Sequence, residues 1–108
     1  MTIGRKIYLQ PGGIVFNGIC DLLDAQNGKE ILRDSRANTL HFTVRMFERT
    51  WALRVTAAAI DESRCEVALE VANEEREMRE LAGYVLRREL ALLDAMLLIG
   101  TPLEVRYG

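Results

Sequence analysis

A chain of 108 residues is long enough to bury one core of its own, and it is expected to form a single small domain over residues 1–108. Hydrophobic residues make up 49% and charged residues 28%, a globular balance that excludes a disordered or fibrous chain. The net charge of −2, with arginines scattered among acids and no basic block, argues against a nucleic-acid partner.

Twelve arginines stand against two lysines, a bias that suits paired or interfacial roles, since the guanidinium offers a planar fork of donors. The first thirteen residues, MTIGRKIYLQPGG, lack the apolar core of a signal peptide. No stretch approaches the ~20 apolar residues that span a bilayer. The expectation is a soluble, cytoplasmic protein with no membrane partner. Cys20 and Cys65 stand far apart without a CxxC companion, and each is expected as a free thiol on an apolar face.

In chain order, Ile3 to Gln10 alternates Ile3, Ile7 and Leu9 against Gly4, Lys6, Tyr8 and Gln10, which predicts a short strand ended by Pro11-Gly12-Gly13. Ile14 to Gln26 places Val15, Ile19, Leu22 and Leu23 at helical spacing, with Asn27-Gly28 as the stop. Lys29 to Ser35 reads as a short strand. Asn38 to Phe47 is a strand sending Leu40, Phe42, Val44 and Met46 to one face. A turn near Glu48-Arg49 leads into Thr50 to Ile60, where Trp51, Leu53, Val55, Ala57 and Ala59 share a face. Cys65, Val67, Leu69 and Val71 repeat the pattern, so three strands form an antiparallel meander with one apolar side. Arg45, Arg54, Glu66 and Glu70 fall on the other side, where they can pair across strands.

The run from Asn73 to Gly100 is the longest helical signal, with Asn73 as the expected N-cap and Gly100-Thr101-Pro102 as the stop. Its apolar residues fill half of the helical wheel, with one exception. Glu89 projects into that apolar half, among Ala82, Val85, Leu93 and Met96. Two readings follow: a polar group lining a pocket between helix and sheet, or a carboxylate paired with a sheet arginine or lifted to solvent by a bend. From Leu90 onward the helix is apolar almost all round, so it is buried either by a second copy of the chain or by the first helix and the tail. The tail alternates Leu103, Val105 and Tyr107 with Glu104 and Arg106, a possible extra edge strand. The fold class is therefore α+β: an antiparallel sheet of about five strands in the order β-α-β-β-β-β-α, with a short and a long helix packed on one face.

That order of elements, with the strand segment Val44-Arg45-Met46-Phe47-Glu48-Arg49, resembles START-like (helix-grip) domains. Within that likeness it is most similar to a small bacterial family of unknown function whose strand reads V-R-x-F-E-R. The resemblance implies a curved antiparallel sheet gripping the terminal helix, with space between them for a lipid or other apolar ligand. It brings no catalytic residues. With about five strands in place of seven, the expected space is small.

Signals for catalysis are few. The only histidine, His41, lies on the outward face of a strand, which excludes a metal site of several His or Cys ligands. No nucleophilic triad order, phosphate-binding glycine loop or dinucleotide fingerprint appears. No cofactor and no metal are expected, and the chain is not expected to be an enzyme. The remaining enzymatic option is Glu89 as a general acid or base, helped by Arg45 or Arg54. Two non-catalytic readings stand beside it. One is a module binding a small apolar ligand, with Leu53, Val55, Leu69, Val85, Leu92 and Met96 as lining and Glu89 orienting a polar group. The other is an interaction module, most simply a homodimer with a filled core, using Leu97, Leu98 and Trp51 as interface residues.

Overall fold

The structure, a computed structural model, describes residues 2–98, and for residue 98 the backbone alone. Its elements are β1 (Ile3–Tyr8), α1 (Gly12–Ala25), β2 (Lys29–Asp34), β3 (Thr39–Met46), β4 (Arg49–Asp61), β5 (Arg64–Val71) and α2 (Arg79–Leu98), the last preceded by a single 3-10 turn over Arg76–Met78. The strands form one antiparallel sheet in the order β1-β5-β4-β3-β2, so the first strand joins the far edge of the meander. The α+β class and the element order expected from the sequence are those observed. The tail with its proposed edge strand, and the Gly100-Pro102 stop, lie outside the described residues.

Alternation along the strands dictates a one-sided core. Leu40, Phe42, Val44, Trp51, Leu53, Val55, Cys65, Val67, Leu69 and Val71 are all buried, while their sequence neighbours face outward. Cross-strand register stacks Phe42 on Leu53 on Val71, and Leu40 on Val55 on Leu69. On the outer side, Arg54 meets Glu70 at 3.5 Å and Arg5 meets Glu66 at 3.0 Å, as cross-strand pairing predicts. Ala59, still in register opposite Cys65, is exposed, and a register shift follows between Ala59 and Asp61.

Both helices cover the same face. α1 packs on β3, β4 and β5, α2 packs on β1 and β5, and the two helices touch each other. Their closest approach uses Gly18, where a Cβ would lie 2.9 Å from Leu97 Cδ2 and 3.5 Å from Leu93 Cδ1. β1 shows the opposite face from the one its apolar residues suggest: Ile3, Ile7 and Leu9 are exposed, and Gly4, Lys6 and Tyr8 point under α2. The cause is α2 crossing above this strand. Gly4 leaves room for Leu90, while Lys6 Nζ and the Tyr8 hydroxyl both donate to the Asp94 carboxylate, at 2.6 and 2.5 Å.

Two local expectations are corrected. Asn73 does not cap the helix, which begins at Arg79. Its side chain instead accepts from Ala52 N (2.9 Å) and donates to Thr50 O (3.0 Å), tying the β5 exit to β4. Phe47 is not in a strand: Phe47 and Glu48 form the two-residue turn between β3 and β4, both with positive φ (56° and 60°). That backbone matches the twist of the flanking strands but is ordinarily filled by Asn and Gly.

Candidate functional site

Glu89 lies on the inward side of α2 and is 1% exposed, the one acid among the buried residues of the described core. Leu86 and Leu93 flank it one turn away on either side, both buried, so the helix carries the carboxyl into the apolar layer by periodicity alone. Burial pushes its pKa up, against smaller opposing effects from the Gln26 hydrogen bond and the Arg88 charge. The group is therefore held toward its neutral form, in which it can donate as well as accept.

Its partner is Gln26, whose Nε2 donates to Glu89 Oε1 at 2.7 Å. The end of α1 determines where that amide sits. Asn27 adopts a left-handed φ of 53°, and Gly28 N bonds back to Leu23 O at 3.0 Å, the pattern of a helix stop with a left-handed residue. Gly28 must be glycine for a second reason, since a Cβ there would meet Leu23 Cδ1 at 2.6 Å and Thr43 O at 3.2 Å. The stop therefore pins Gln26 over β3, facing α2. Gln26 Oε1 and Glu89 Oε2 are both buried without a hydrogen-bond partner among the described residues. Leaving such atoms unpaired costs roughly 1–3 kcal/mol each, so the pair is not a fully satisfied structural link.

Gln26 also forms the wall of a recess of about 200 Å³ between the end of α1, β3 and α2, together with Leu22, Ala25, Val44, Arg45, Arg88, Leu92 and Met96. A shallower groove of about 740 Å³ shares Gln26, Val44 and Arg45 and continues past Asn27, Lys29, Ile31, Thr43 and Thr50. The two form one depression, apolar on its floor. Its rim carries Arg45 and Arg88, with Gln26 leading to Glu89 behind the wall.

Of the lining expected from the sequence, Leu92 and Met96 do border the recess. Leu53, Val55, Leu69 and Val85 do not; each is at most 2% exposed and packed into the core between helix and sheet. Arg45 borders the recess, whereas Arg54 does not and is paired with Glu70 on the outward face of the sheet. The partner of Glu89 is not a sheet arginine but an amide from α1. Trp51 and Leu97, expected at an interface, are 0% and 4% exposed inside this chain's own core. Trp51 donates Nε1–H to Met46 O at 2.8 Å and lies under the Arg49 guanidinium at 4.7 Å. Leu97 fills the space above Gly18. The Leu98 side chain lies outside the described residues.

Gln26, Arg88, Leu22, Ala25 and Val44 were not singled out by sequence reasoning. The available signal was the Asn27-Gly28 stop, which makes the residue before it the last on α1. Elsewhere, Cys20 and Cys65 are free thiols, each with its pKa raised mainly by burial. No group of three or more His, Cys, Asp or Glu among the described residues could hold a metal ion. No helix among them is long and apolar enough to cross a membrane.

No family model and no curated protein matches this chain, so the likeness to a family with a V-R-x-F-E-R strand gains no support. Solved structures do match. One is the di-domain ARO/CYC StfQ from the steffimycin biosynthetic pathway, at a TM-score of 0.60 and 14% identity over 90% of this chain and 43% of that one. The chain thus spans less than half the length of that protein. Another is the Zhui aromatase/cyclase from Streptomyces sp. R1128, at a TM-score of 0.57 and 11% identity over 89% of this chain and 90% of that one. At such identities the likeness concerns the fold. It also corrects the expectation that the chain is not an enzyme. That expectation rested on missing motifs, yet both of these structures sharing the fold are aromatase/cyclases. The chain has the helix-grip arrangement of aromatase/cyclase structures, with a recess under its long helix and a buried carboxyl bonded to the Gln26 that lines it.

Proposed function

We propose that this chain binds a small, mainly apolar ring compound in the recess between α1, β3 and α2 and moves protons on it, with Glu89 as general acid and base. One observation carries the reading: a carboxyl of raised pKa, buried in an apolar layer, keeps one oxygen without a partner among the described residues, behind the Gln26 wall of a small recess. Buried carboxyls of raised pKa are suited to giving a proton near neutral pH. The fold neighbours are named for forming and aromatising rings, which favours a dehydration that ends in an aromatic product.

The step balances without oxidant or metal. Gln26, half-buried and bonded to Glu89 through one N–H, turns aside and admits the ligand to Oε2. Glu89 gives its proton to a hydroxyl of the substrate, the C–O bond breaks and water leaves. The carboxylate then takes a proton from the neighbouring carbon, whose C–H electron pair becomes the new double bond, and the acid is restored. The recess of about 200 Å³ is below the ~300–1,000 Å³ of common ligand sites, so a compound of one or two rings is the suitable size unless it extends into the groove.

The test uses a bicyclic β-hydroxy ketone that becomes a naphthol on losing one water, followed by naphthol fluorescence. The expected result is turnover above buffer that falls about 100-fold or more in Glu89→Gln, the size of a general-acid contribution, with binding retained. Equal rates in the variant and the native chain, or no rate above buffer, would overturn the proposal.

A further inference from the structure

We infer that the ligand of this recess carries a carboxylate, held at the rim by Arg45 and Arg88 with Lys29 beyond them; this deepens the reading of the recess as a ligand site and rests on it. Elsewhere on the sheet and its turns four arginines are matched with acids, although Arg36 and Arg49 are not among the described residues' ion pairs. Arg5 pairs with Glu66, Arg33 with Glu30, Arg54 with Glu70 and Arg64 with Asp61. The depression is different. Three cations border the recess and the adjoining groove, and no Asp or Glu lines either one. No carboxylate among the described residues stands within 4.0 Å of Arg45, Arg88 or Lys29. The chain as a whole carries −2, so this cationic rim is not a sample of a basic surface.

The two guanidiniums are also weakly occupied. Among the described residues, Arg45 Nη1 bonds to Thr50 Oγ1 at 3.5 Å and Arg88 Nη1 to the thioether of Met46 at 3.5 Å. Each guanidinium has five N–H donors, and a sulfur atom or a distant hydroxyl takes little of that capacity. They stand on different elements, β3 and α2, bordering one recess from two sides. A planar carboxylate matches the guanidinium fork, and it leaves the apolar body of the ligand on Leu22, Val44 and Leu92. Glu89 is the acid that acts on this rim, through the charge of Arg88, and burial works against its charged form.

The experiment is calorimetric titration of the full chain with naphthoate, its methyl ester and a naphthyl phosphate, at low and high salt. Naphthoate is expected to bind at least about tenfold more tightly than the ester, with the margin shrinking as salt rises. The double variant Arg45→Ala/Arg88→Ala is expected to bind acid and ester alike. Arg54→Ala, which lines neither the recess nor the groove, should keep the preference. Both rim arginines are exposed, so the double variant should fold, and a thermal unfolding curve checks it. Equal binding of acid and ester by the native chain would overturn the carboxylate and leave the recess as a ligand site. A preference that survives the double variant, or tighter binding of the phosphate, would also overturn it. If none of the three compounds binds, the ligand reading fails and takes this inference with it.

Discussion

Glu89 ties stability to pH in a direction that can be worked out. Its pKa is raised by burial, so between the ordinary carboxylate value and the raised one the folded chain holds more protons than the unfolded chain. Stability from this group is therefore full at acid pH and is lost as pH rises through the folded value. Urea midpoints of the native chain and of Glu89→Gln should lie closest near pH 4 and separate in favour of the variant toward pH 8. A constant gap across that range would mean that Glu89 does not titrate differently on folding. A second residue-scale effect belongs to Glu48, at φ 60° in the β3–β4 turn. The left-handed conformation costs an ordinary residue about 1–2 kcal/mol, and a glycine avoids this at roughly 0.5–1 kcal/mol of extra unfolded-state entropy. Glu48→Gly should accordingly stabilise by about 0.5–1 kcal/mol, read as a higher urea midpoint at unchanged slope. The Phe47–Tyr84 edge contact, with ring centroids 6.0 Å apart, should survive it.

Between elements, the contact that sets the site is the crossing of α1 and α2. Gly18 brings the helices close enough for the end of α1 to place Gln26 against Glu89. Gly18→Ala should be nearly neutral, because the helix gains up to about 1 kcal/mol of propensity while Leu97 Cδ2, the end of a flexible side chain, must move. Gly18→Val should cost about 1–3 kcal/mol by overpacking and should weaken ligand binding through the displaced Gln26. Calorimetric unfolding beside naphthoate titration would check both. The elements themselves were legible in the sequence because strands with one wet face alternate and the helix stop at Asn27-Gly28 has a chemical signature. Glu89 stood out as an acid in an apolar arc. Gln26 did not, since a polar residue at a helix end is ordinary and its role depends on how two helices cross. Arg45 stood out only as a possible helper of Glu89 and Arg88 not at all, because whether an arginine has an acid beside it is a fact of three dimensions.

Over the whole molecule, the α+β class and the single-sided core followed from periodicity, and the helix-grip likeness agrees with the solved structures that share the fold. The face of β1 was not legible. A strand of six residues gives its alternation little weight, and α2 made the polar set the inward one by supplying Asp94 to Lys6 and Tyr8. The same fact explains why a cavity expected in the middle of the sheet is found at one end. Leu53, Val55, Leu69 and Val85 close the centre, and the recess lies where α1 stops.

The placement of β1 also bears on how the chain is made. Its strand partner, β5, follows more than fifty residues later, and Asp94, which receives Lys6 and Tyr8, comes later still. A nascent chain leaving the ribosome can close the β3–β4 and β4–β5 hairpins as soon as each is synthesised, because those pairings are local. β1 must wait for β5, and its inward side, with the part of α1 that meets α2, stays uncovered until the last helix arrives; during that interval these are the segments a chaperone would find exposed.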